Sequence, residues 1–550
     1  MRLLSVLLLL VAAPWVSAGD KPPQAAIASA SPHATEAGLE ILARGGNAFD
    51  AAVAVSSVLA VTEPYGSGMG GGGFWLLHRA LDGFQVMVDG REVAPGAASR
   101  DMYLDENGEP IPRLSIDGPL AAGIPGAPAG WVHIATKYGR LSLAESLAPA
   151  IRLARDGFPA SKHMVRNLTY KKDLMNRWPA AAEIFYRNGE PPTEGELLVQ
   201  PDLAATLTAV AGQGIDGFYK GEVARSLVEG TRAAGGIWTL EDLASYRVRE
   251  RRPVYGNYRG HRIVSAPPPS SGGVLIINAL NILAGFNLAG MDQLTQKHLV
   301  VEAMRRAFRD RAEYLGDPDY VDIPLERLAH PFYAAGQRAA ILVDRATPSD
   351  ALPGIVRPDL AGGTQTTHFS VLDRDGNRVA GTMSINFWFG SGFMPPGTGV
   401  LLNNEMDDFS IKPGVPNGYE LVGADANAIA PGKRMLSSMT PTFIESDDGV
   451  AILGTPGGSR IISMVLLGSL ARINGADARA MVSLPRFHHQ YLPDRITFED
   501  AAFDGATRDG LESMGHNLQL SSRNYGNLQA ITWDYATGKV VAAADPRGEG

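Results

Sequence analysis

The chain has 550 residues, more than one compact hydrophobic core usually holds, so its length predicts several domains or one large layered fold. Its 45% apolar and 19% charged residues are typical of a globular protein and exclude a disordered one. A net charge of −9 disfavours nucleic acid and anionic lipid as partners, so we expect a small-molecule ligand. The lack of cysteine excludes disulfides, thiolate catalysis and cysteine zinc sites.

The N-terminus has the pattern of a secretory signal peptide. A charged start at Arg2 is followed by an apolar run over residues 3–11 and a small-x-small end at residues 16–18, which predicts a signal peptide over residues 1–18. A short membrane anchor is the alternative, but the run is too short to span about 30 Å of hydrocarbon. No later stretch is long and apolar enough for a membrane helix. We therefore expect an exported protein, periplasmic or secreted, without a membrane span.

Two helices and a glycine-rich run are predicted next. Thr35 is the expected cap of a helix over residues 36–44, and residues 50–61 are typical of a second, apolar and buried helix. Residues 66–73 are rich in glycine and precede a predicted strand over residues 74–78. The run lacks the Gly-Lys-Ser/Thr of a phosphate-binding loop and follows a helix instead of a strand. It therefore favours a tight backbone turn beside a packed sheet over nucleotide binding.

A predicted linker leads directly into a predicted β-hairpin. Residues 351–363 contain prolines and glycines and show little periodicity, which indicates an exposed linker. Residues 366–372 alternate polar and apolar side chains, residues 373–377 (DRDGN) form a strong turn signal, and residues 378–386 are typical of a second strand.

The length of this turn predicts the register of the hairpin. If the five turn residues form the loop, Leu372 faces Arg378, and counting outward places Thr366 opposite Ser384. Asn386 lies two residues beyond Ser384 and therefore on the same face. Three polar side chains are thus expected at the open end of the hairpin.

Familiar catalytic motifs are absent from the sequence. There is no G-x-S-x-G elbow and no H-E-x-x-H, and adjacent side chains such as His488 and His489 point in different directions in regular structure. We expect neither a metal nor a cofactor. A threonine needs no histidine if the chain is cut before it, because the new α-amino group has an unperturbed pKa of about 7.7–8.0 and can serve as general base. Spacing alone, however, favours an ordinary threonine-rich strand at Thr366.

An ordered set of short motifs resembles the gamma-glutamyltransferase family over nearly the whole chain after residue 18. Each motif is weak by itself, and the specificity lies in the set and its order. The motifs are GGNAFDAAVAV from Gly45, GGGGF from Gly70, GREVAP from Gly90, PPPSSGG from Pro267, EYLGDPD from Glu313, QTTHFSV from Gln365, LLNNEMDDF from Leu401, PGVPN from Pro413, LSSMTP from Leu436 and PGGSR from Pro456.

The resemblance implies an α+β fold of the N-terminal-nucleophile hydrolase type, a four-layer αββα sandwich. It also implies a zymogen that cuts itself between Gln365 and Thr366 into a large subunit, residues 19–365, and a small subunit, residues 366–550, which remain together as a heterodimer. The implied reaction transfers the γ-glutamyl group of glutathione and other γ-glutamyl amides to an amino acid, a peptide or water.

The resemblance also assigns catalytic roles by motif. Thr366 matches the nucleophile, which attacks the Gln365 carbonyl during maturation and the substrate γ-amide afterwards. Ser384 matches a hydroxyl residue, usually threonine, beside the nucleophile. Gly457 and Gly458 match the backbone amides of the oxyanion hole, where a residue without Cβ allows close approach; a simple turn is the alternative.

Further matches concern the α-carboxylate and α-ammonium groups of the substrate. Arg91 matches the clamp on the α-carboxylate, with a surface arginine as the alternative. Glu405 and Asp408 match the pair that holds the α-ammonium, with Asn386 assisting; a solvated acidic loop is the alternative. Ser437-Ser438 matches a pair of carboxylate-binding hydroxyls.

The sequence also matches the lid and departs from the family at three positions. Residues 412–433 match a segment that forms a lid in some members, and Tyr419 matches a residue that closes over the site. Ser384 replaces the commoner threonine, Glu405 stands where some bacterial members have glutamine, and Trp388 is bulky near the pocket. These departures leave substrate preference and the ratio of hydrolysis to transfer open.

Two other functions compete with this one. A cephalosporin acylase of the same family takes glutaryl groups, which lack an α-ammonium, so the presence of Asp408 favours the γ-glutamyl enzyme. A non-enzymatic exported binding protein with the same fold is disfavoured by the intact Gln365-Thr366 junction and the glycine pair at 457–458.

Overall fold

A computed structural model describes residues 21–354 and 366–550 of the protein. The predicted signal peptide, most of the predicted linker and Gln365 lie outside the described residues. Among the described residues, no helix is long and apolar enough to cross a membrane.

Most of the β-structure belongs to two six-stranded sheets. In chain order the strands are β1 (Ala26–Ser29), β2 (Gly72–Arg79), β3 (Phe84–Gly90), β4 (Phe158–Pro159), β5 (Leu197–Leu198), β6 (Arg249–Arg251), β7 (Val254–Tyr258), β8 (His261–Ser265), β9 (Thr367–Leu372), β10 (Arg378–Ser384), β11 (Thr442–Ser446), β12 (Gly449–Gly454), β13 (Phe487–His488), β14 (Ile496–Phe498), β15 (Leu518–Leu520), β16 (Gln529–Asp534) and β17 (Val540–Ala544).

The helices lie between these strands in groups of one to four. They are α1 (Pro32–Ala43), α2 (Ala48–Thr62), α3 (Ala127–Tyr138), α4 (Leu143–Asp156), α5 (Lys162–Tyr170), α6 (Lys172–Met175), α7 (Pro179–Phe185), α8 (Pro201–Gln213), α9 (Asp216–Tyr219), α10 (Gly221–Ala233), α11 (Leu240–Ser245), α12 (Gly272–Leu283), α13 (Gln293–Tyr314), α14 (Leu325–Leu328), α15 (Pro331–Ala339), α16 (Arg460–Ile473), α17 (Ala478–Ser483) and α18 (Gly505–Ser513).

The two large sheets are antiparallel and stack face to face. Their strand orders are β1-β9-β10-β2-β3-β6 and β17-β16-β12-β11-β8-β7. Helices α2 and α3 pack on the outer face of the first sheet, and α12, α16 and α17 pack on the outer face of the second. One apolar core lies between the first sheet and its helices, and another fills the space between the sheets and under α12 and α16. The predicted four-layer αββα sandwich is therefore confirmed.

The predicted N-terminal elements are present with shifted ends. Helix α1 begins at Pro32, so the prediction that Thr35 caps it is wrong; proline at the first helical position presets the backbone dihedral and moves the start upstream. Helix α2 is longer than predicted and buried throughout, with Asn47 as its cap. Strand β2 extends two residues before Phe74.

The glycine-rich run between α2 and β2 forms the predicted tight turn. A Cβ on Gly70 would lie 2.0 Å from the Leu401 carbonyl oxygen, and a Cβ on Gly71 would lie 2.1 Å from that of Ser384. Any larger residue would displace the backbone of the strand end and of the following loop. These glycines are therefore required by backbone packing.

The hairpin of β9 and β10 has the predicted register. Leu372 pairs with Arg378, and the ladder continues to Thr367 opposite Met383, which places Thr366 level with Ser384. The second strand ends at Ser384, two residues earlier than predicted, and Asn386 has a φ of +72°. Asn386 therefore belongs to the loop that follows the strand.

Candidate active site

Thr366 lies at the N-terminal end of β9 and is 7% exposed. The alternation of side chains along a strand places Thr366, His368 and Ser370 on the face toward the second sheet. His368 packs there against Gly454, whose Cβ would meet the imidazole at 2.3 Å. The hydroxyl of Thr366 thus belongs to the space between the two sheets, near the loop after β12.

Thr367 faces the opposite side of the sheet and contacts a buried acid. Its Oγ1 donates to Oε2 of Glu63 at 2.7 Å, and the Tyr65 hydroxyl donates to Oε1 of Glu63 at 3.0 Å. Burial raises the pKa of Glu63 to about 7, although both hydrogen bonds oppose the shift. Sequence reasoning missed Glu63. The only available signal was an acidic residue at the end of an apolar helix, directly before the glycine-rich turn.

Almost all predicted site residues line a small cavity of about 20 Å³, which has room for about one water molecule. Ser384 ends strand β10 of the first sheet and Ile461 belongs to α16, whereas the other lining residues belong to segments between the named strands and helices. The lining residues are Arg91, Thr366, Ser384, Asn386, Glu405, Asp408, Tyr419, Ser437, Ser438, Met439, Gly458 and Ile461. Gly457 lines a second, larger cavity of about 190 Å³, which also reaches Thr366.

Arg91 is the central cation of the small cavity and is 1% exposed. Its Nη1 donates to Oε2 of Glu405 at 2.6 Å, and its Nη2 donates to Oδ2 of Asp408 at 2.5 Å. Its Nε donates to the Met435 carbonyl at 3.3 Å. The alternative of a surface arginine is thereby excluded for Arg91, and so is the alternative of a solvated acidic loop for Glu405, which is 1% exposed.

Burial dominates the electrostatics of this ion cluster. Burial disfavours the charged guanidinium, but the carboxylates of Glu405, Glu92 and Asp408 together raise the pKa of Arg91. Burial raises the pKa of Glu405 to about 7, against the attraction of Arg91. Burial and the repulsion from Glu405 raise the pKa of Glu92 well above its usual range. Burial therefore favours the protonated forms of Glu92 and Glu405, and the charge of Arg91 opposes the shift at both acids without cancelling it.

Arg311 is a second buried cation near the cluster, and sequence reasoning missed it. It is 4% exposed and lies in α13, with its Nε donating to the Ser271 hydroxyl at 3.1 Å. Burial lowers the pKa of Arg311 to about 10, the charge of Asp408 opposes this shift, and Arg91 adds to it. The only signal in the sequence was its position just before the EYLGDPD motif.

Two sequence motifs meet behind the serine pair. The backbone N–H of Ser437 donates to the Pro269 carbonyl at 2.7 Å, and the Ser271 hydroxyl donates to the Ser437 carbonyl at 2.8 Å. The PPPSSGG motif therefore holds the LSSMTP segment in place. Ser437 and Ser438 are both buried and line the small cavity.

The glycine pair and Tyr419 form the remaining wall. Gly457 and Gly458 have φ values of +144° and +58° and precede α16, so their amides lie at the N-terminal end of a 14-residue helix. A Cβ on Gly458 would lie 2.5 Å from the Tyr419 ring. The Tyr419 hydroxyl donates to the Asn386 carbonyl at 3.0 Å, and its ring stacks on Phe387. Tyr419 therefore packs directly over the glycine pair.

The described residues contain one group of potential metal ligands, formed by His298, Glu302 and His516. Both oxygens of Glu302 already accept from arginines: Arg305 donates to Oε1 at 3.2 Å and Arg306 donates to Oε2 at 2.5 Å. Two guanidinium groups at the same carboxylate repel a metal ion, so we assign this cluster a structural role. The adjacent pair at 488–489 diverges as expected: His488 contacts Ser463 and His489 contacts Asp494.

The site combines three chemical features. It has a buried hydroxyl at the start of a strand, backbone amides at a helix N-terminus, and a guanidinium between two carboxylates. This set fits acyl transfer from a small substrate that carries both a carboxylate and an ammonium group.

Comparison with known proteins agrees with this chemistry. A family model described as gamma-glutamyltranspeptidase matches residues 34–550. The glutathione hydrolase proenzyme of Escherichia coli K12 is 43% identical over 95% of this chain and 90% of its own length. The glutathione hydrolase proenzyme of Pseudomonas sp. A14 is 46% identical over 88% of this chain and 85% of its own. The solved structure of a cephalosporin acylase from Bacillus halodurans has a TM-score of 0.84 and 30% identity, covering 96% of this chain and 95% of its own.

Proposed function

The chain belongs to the gamma-glutamyltranspeptidase family, and from this premise we propose that it is a self-processing γ-glutamyltransferase and glutathione hydrolase with Thr366 as its nucleophile. The observation that carries the proposal is the small cavity, in which Thr366 meets Arg91, Asp408 and Gly458, the second of the two glycines before α16. No cofactor is required, because all the groups that the reaction needs are side chains or backbone amides.

Maturation is a cut between Gln365 and Thr366. The Thr366 hydroxyl attacks the Gln365 carbonyl, the peptide C–N bond breaks, and the amine becomes the new N-terminus; water then hydrolyses the ester. The products are a large subunit ending at residue 365 and a small subunit beginning at Thr366. They remain a heterodimer because strand β9 of the small subunit lies between β1 and β10 in the first sheet.

Acylation of the mature enzyme forms a γ-glutamyl ester. The neutral α-amine of Thr366 accepts the proton of its own hydroxyl, and Oγ1 bonds to the γ-carbonyl carbon of the donor. The amides of Gly457 and Gly458 donate to the developing oxyanion. The C–N bond then breaks, and the leaving amine takes the proton from the α-ammonium of Thr366.

Deacylation repeats these steps with a new nucleophile. Water, an amino acid or a peptide amine gives a proton to the α-amine of Thr366 and attacks the ester carbonyl. The bond to Oγ1 breaks, and Oγ1 recovers the proton. Water completes hydrolysis, and an amine completes transfer.

Binding of the donor involves an exchange of ion pairs. The α-carboxylate of the γ-glutamyl group pairs with the guanidinium of Arg91 and accepts hydrogen bonds from the hydroxyls of Ser437 and Ser438. The α-ammonium pairs with the carboxylates of Glu405 and Asp408. Charge is conserved in the exchange, because the ion pairs of Arg91 with Glu405 and Asp408 are replaced by pairs between these three side chains and the two opposite charges of the substrate. The small cavity expands as the lid segment, residues 412–433, moves away together with its Tyr419.

The test combines a denaturing gel with rate measurements. The purified protein should give two bands, and it should release the γ-glutamyl group from glutathione, faster when glycylglycine is added as acceptor. One band near the full mass of 58.4 kDa and no turnover would contradict the proposal.

A glutaryl acylase is the second candidate, supported by the similarity to a solved cephalosporin acylase. A glutaryl group has no α-ammonium, whereas the small cavity presents two carboxylates, Glu405 and Asp408. Faster turnover of a glutaryl amide than of glutathione would favour the acylase. We also propose export to the periplasm or the medium after removal of residues 1–18, which N-terminal sequencing of the large subunit tests.

A further inference from the structure

The larger cavity beside Thr366 is not used by the donor head group and has a different charge from the small one. Thr366 lines both cavities, Gly458 lines the small one and Gly457 lines the larger one. An oxyanion site built from both glycines therefore stands at the boundary between the two cavities. The scissile amide must lie at this boundary, so the acyl part extends into the small cavity and the amine part into the larger one.

Two of the three arginines that line the larger cavity make no ion pair with the described residues, and burial raises the pKa of Glu63, the one carboxyl group in its lining, to about 7. Arg166 and Arg523 line it, and neither has a carboxylate oxygen within 4.0 Å in residues 21–354 and 366–550. Burial lowers the pKa of Arg523, and the neighbouring charges of Arg166 and Arg460 lower it further. These cations lie close enough to repel one another in a protein whose net charge is −9. An anion placed between them relieves the repulsion.

Neighbouring side chains hold both guanidinium groups without neutralising them. Arg523 lies over the indole of Trp388, with its central carbon 5.0 Å from the ring centroid. This contact uses the face of the guanidinium and leaves its in-plane N–H donors for a carboxylate. Arg166 contacts Nδ1 of His163 at 2.7 Å, and burial lowers the pKa of His163 to about 4, so this partner is neutral at pH 7.

The third arginine of the cavity has a different role. Arg547 donates to Oε2 of Glu499 at 2.6 Å and to Oδ1 of Asp545 at 3.1 Å. Its charge is already neutralised, and the pairing anchors the C-terminal segment. Arg547 is therefore excluded from the anion site, which consists of the other two arginines.

On the basis of the proposed function, we propose that Arg166 and Arg523 bind the free α-carboxylate of the amine portion, first in the leaving group and then in the acceptor. The substrates that fit are γ-glutamyl peptides with a free C-terminal carboxylate, and acceptors that are amino acids or short peptides with the same group. Trp388, the bulky residue that departs from the family pattern, belongs to this second site because it supports Arg523.

The experiment compares matched substrates that differ by one charge. Glutathione is compared with its C-terminal amide as donor, glycylglycine with glycylglycine amide as acceptor, and γ-glutamyl-p-nitroanilide reports turnover with a neutral leaving group. The variants are Arg523→Gln, Arg166→Gln and the double variant. The control is Arg225→Gln, an exposed arginine of α10 that lines neither cavity.

Each single variant should raise the KM for glutathione and glycylglycine roughly two- to fivefold, and the double variant roughly tenfold, as expected for partly exposed ion pairs. The amides and the anilide should change less than twofold in all variants, and the control should match the wild type throughout. Equal changes for charged and amidated substrates, or no change for either, would overturn the proposal.

Two controls separate this outcome from other failures. If the wild type neither cuts itself nor hydrolyses the anilide, the proposed function fails before the second site is tested. If a variant does not accumulate as cleaved protein, the test uses the wild type alone. A KM for glutathione that is no lower than the KM for its C-terminal amide, and that does not change with salt concentration, would contradict the proposed site.

Discussion

Nη1 of Arg91 lies 2.6 Å from Oε2 of Glu405, and both side chains are 1% exposed. The two residues are 314 positions apart and stand on opposite sides of the proposed cut. The ion pair therefore joins the two proposed subunits inside the proposed donor site. Removing one partner of a buried pair leaves the other charge uncompensated, so this contact matters for assembly as well as for binding.

Arg91→Lys should mainly raise the KM for glutathione. Lysine keeps the charge but loses the fork that contacts Glu405 and Asp408 now and the substrate carboxylate later. Loss of one charged hydrogen bond weakens binding by about 1.5–3 kcal/mol, which corresponds to a KM roughly 10- to 150-fold higher. Steady-state rates measure this, with Arg225→Lys as the exposed control. An unchanged KM would show that Arg91 does not bind the substrate carboxylate.

Thr366→Ala should abolish both self-cleavage and activity, because one hydroxyl performs both attacks. Thr366→Ser should retain some processing, since it keeps the hydroxyl. Thr367→Ser is the matched control: it changes the neighbouring threonine on the opposite face of the strand, beside Glu63. A denaturing gel gives the result directly. Cleavage at 365/366 in the alanine variant would exclude Thr366 as the nucleophile.

The buried carboxyl of Glu63 should make the stability of the folded protein depend on pH. Its pKa is raised to about 7 in the folded state from 4.5, so the folded state binds the proton more tightly than the unfolded state. The resulting stabilisation is fully present below pH 4.5 and is lost as the pH rises toward 7. The Glu63→Gln variant does not undergo this loss. The free energy of unfolding of the variant, minus that of the wild type, should therefore be about 3 kcal/mol larger at pH 8 than at pH 4.5.

Thermal unfolding of both proteins across this pH range checks the prediction. The control is Glu229→Gln, an exposed glutamate of α10. The wild type also contains Glu405 and Asp407, whose burial raises the pKa of each to about 7, so only the difference between variant and wild type is informative. A difference that stays constant with pH would show that Glu63 is not protonated in the folded protein.

The hairpin shows how much of this fold could be predicted from the sequence. A five-residue turn and the two-residue period of a strand determine the register, so Thr366 could be placed opposite Ser384 without a structure. The end of the second strand could not be predicted, because Asn386 leaves the sheet with a positive φ that depends on the packing of the following loop. Local periodicity carries no signal for that departure.

The candidate site was predictable as a set of residues but not as a network. Family motifs named Arg91, Glu405 and Asp408 separately, and they assigned the arginine and the acids to different substrate groups. That these side chains pair with one another depends on contacts across more than 300 positions. Glu63 and Arg311 were missed for a related reason: their importance comes from burial, which only the folded chain determines.

Asp408→Asn separates the two enzymatic functions by changing one group. Asp408 is 11% exposed at its side chain and lines the small cavity, where it should meet the substrate α-ammonium. Loss of its charge weakens that contact by about 2–5 kcal/mol if the pair is desolvated, so glutathione turnover should fall steeply. A glutaryl amide has no ammonium group, so its turnover should fall little or rise, because its apolar α-position no longer meets a carboxylate.

The same variant should still be cut at 365/366, because maturation involves no substrate ammonium. The structure adds one complication: Asp408 also accepts from Nη2 of Arg91 at 2.5 Å, so its loss frees one side of the guanidinium. Asparagine keeps an oxygen that can accept this bond, which makes Asn a better test than Ala. Rates with glutathione and a glutaryl amide, measured on cleaved protein, decide the matter. If both fell equally, Asp408 would hold Arg91 in place and would not bind the ammonium.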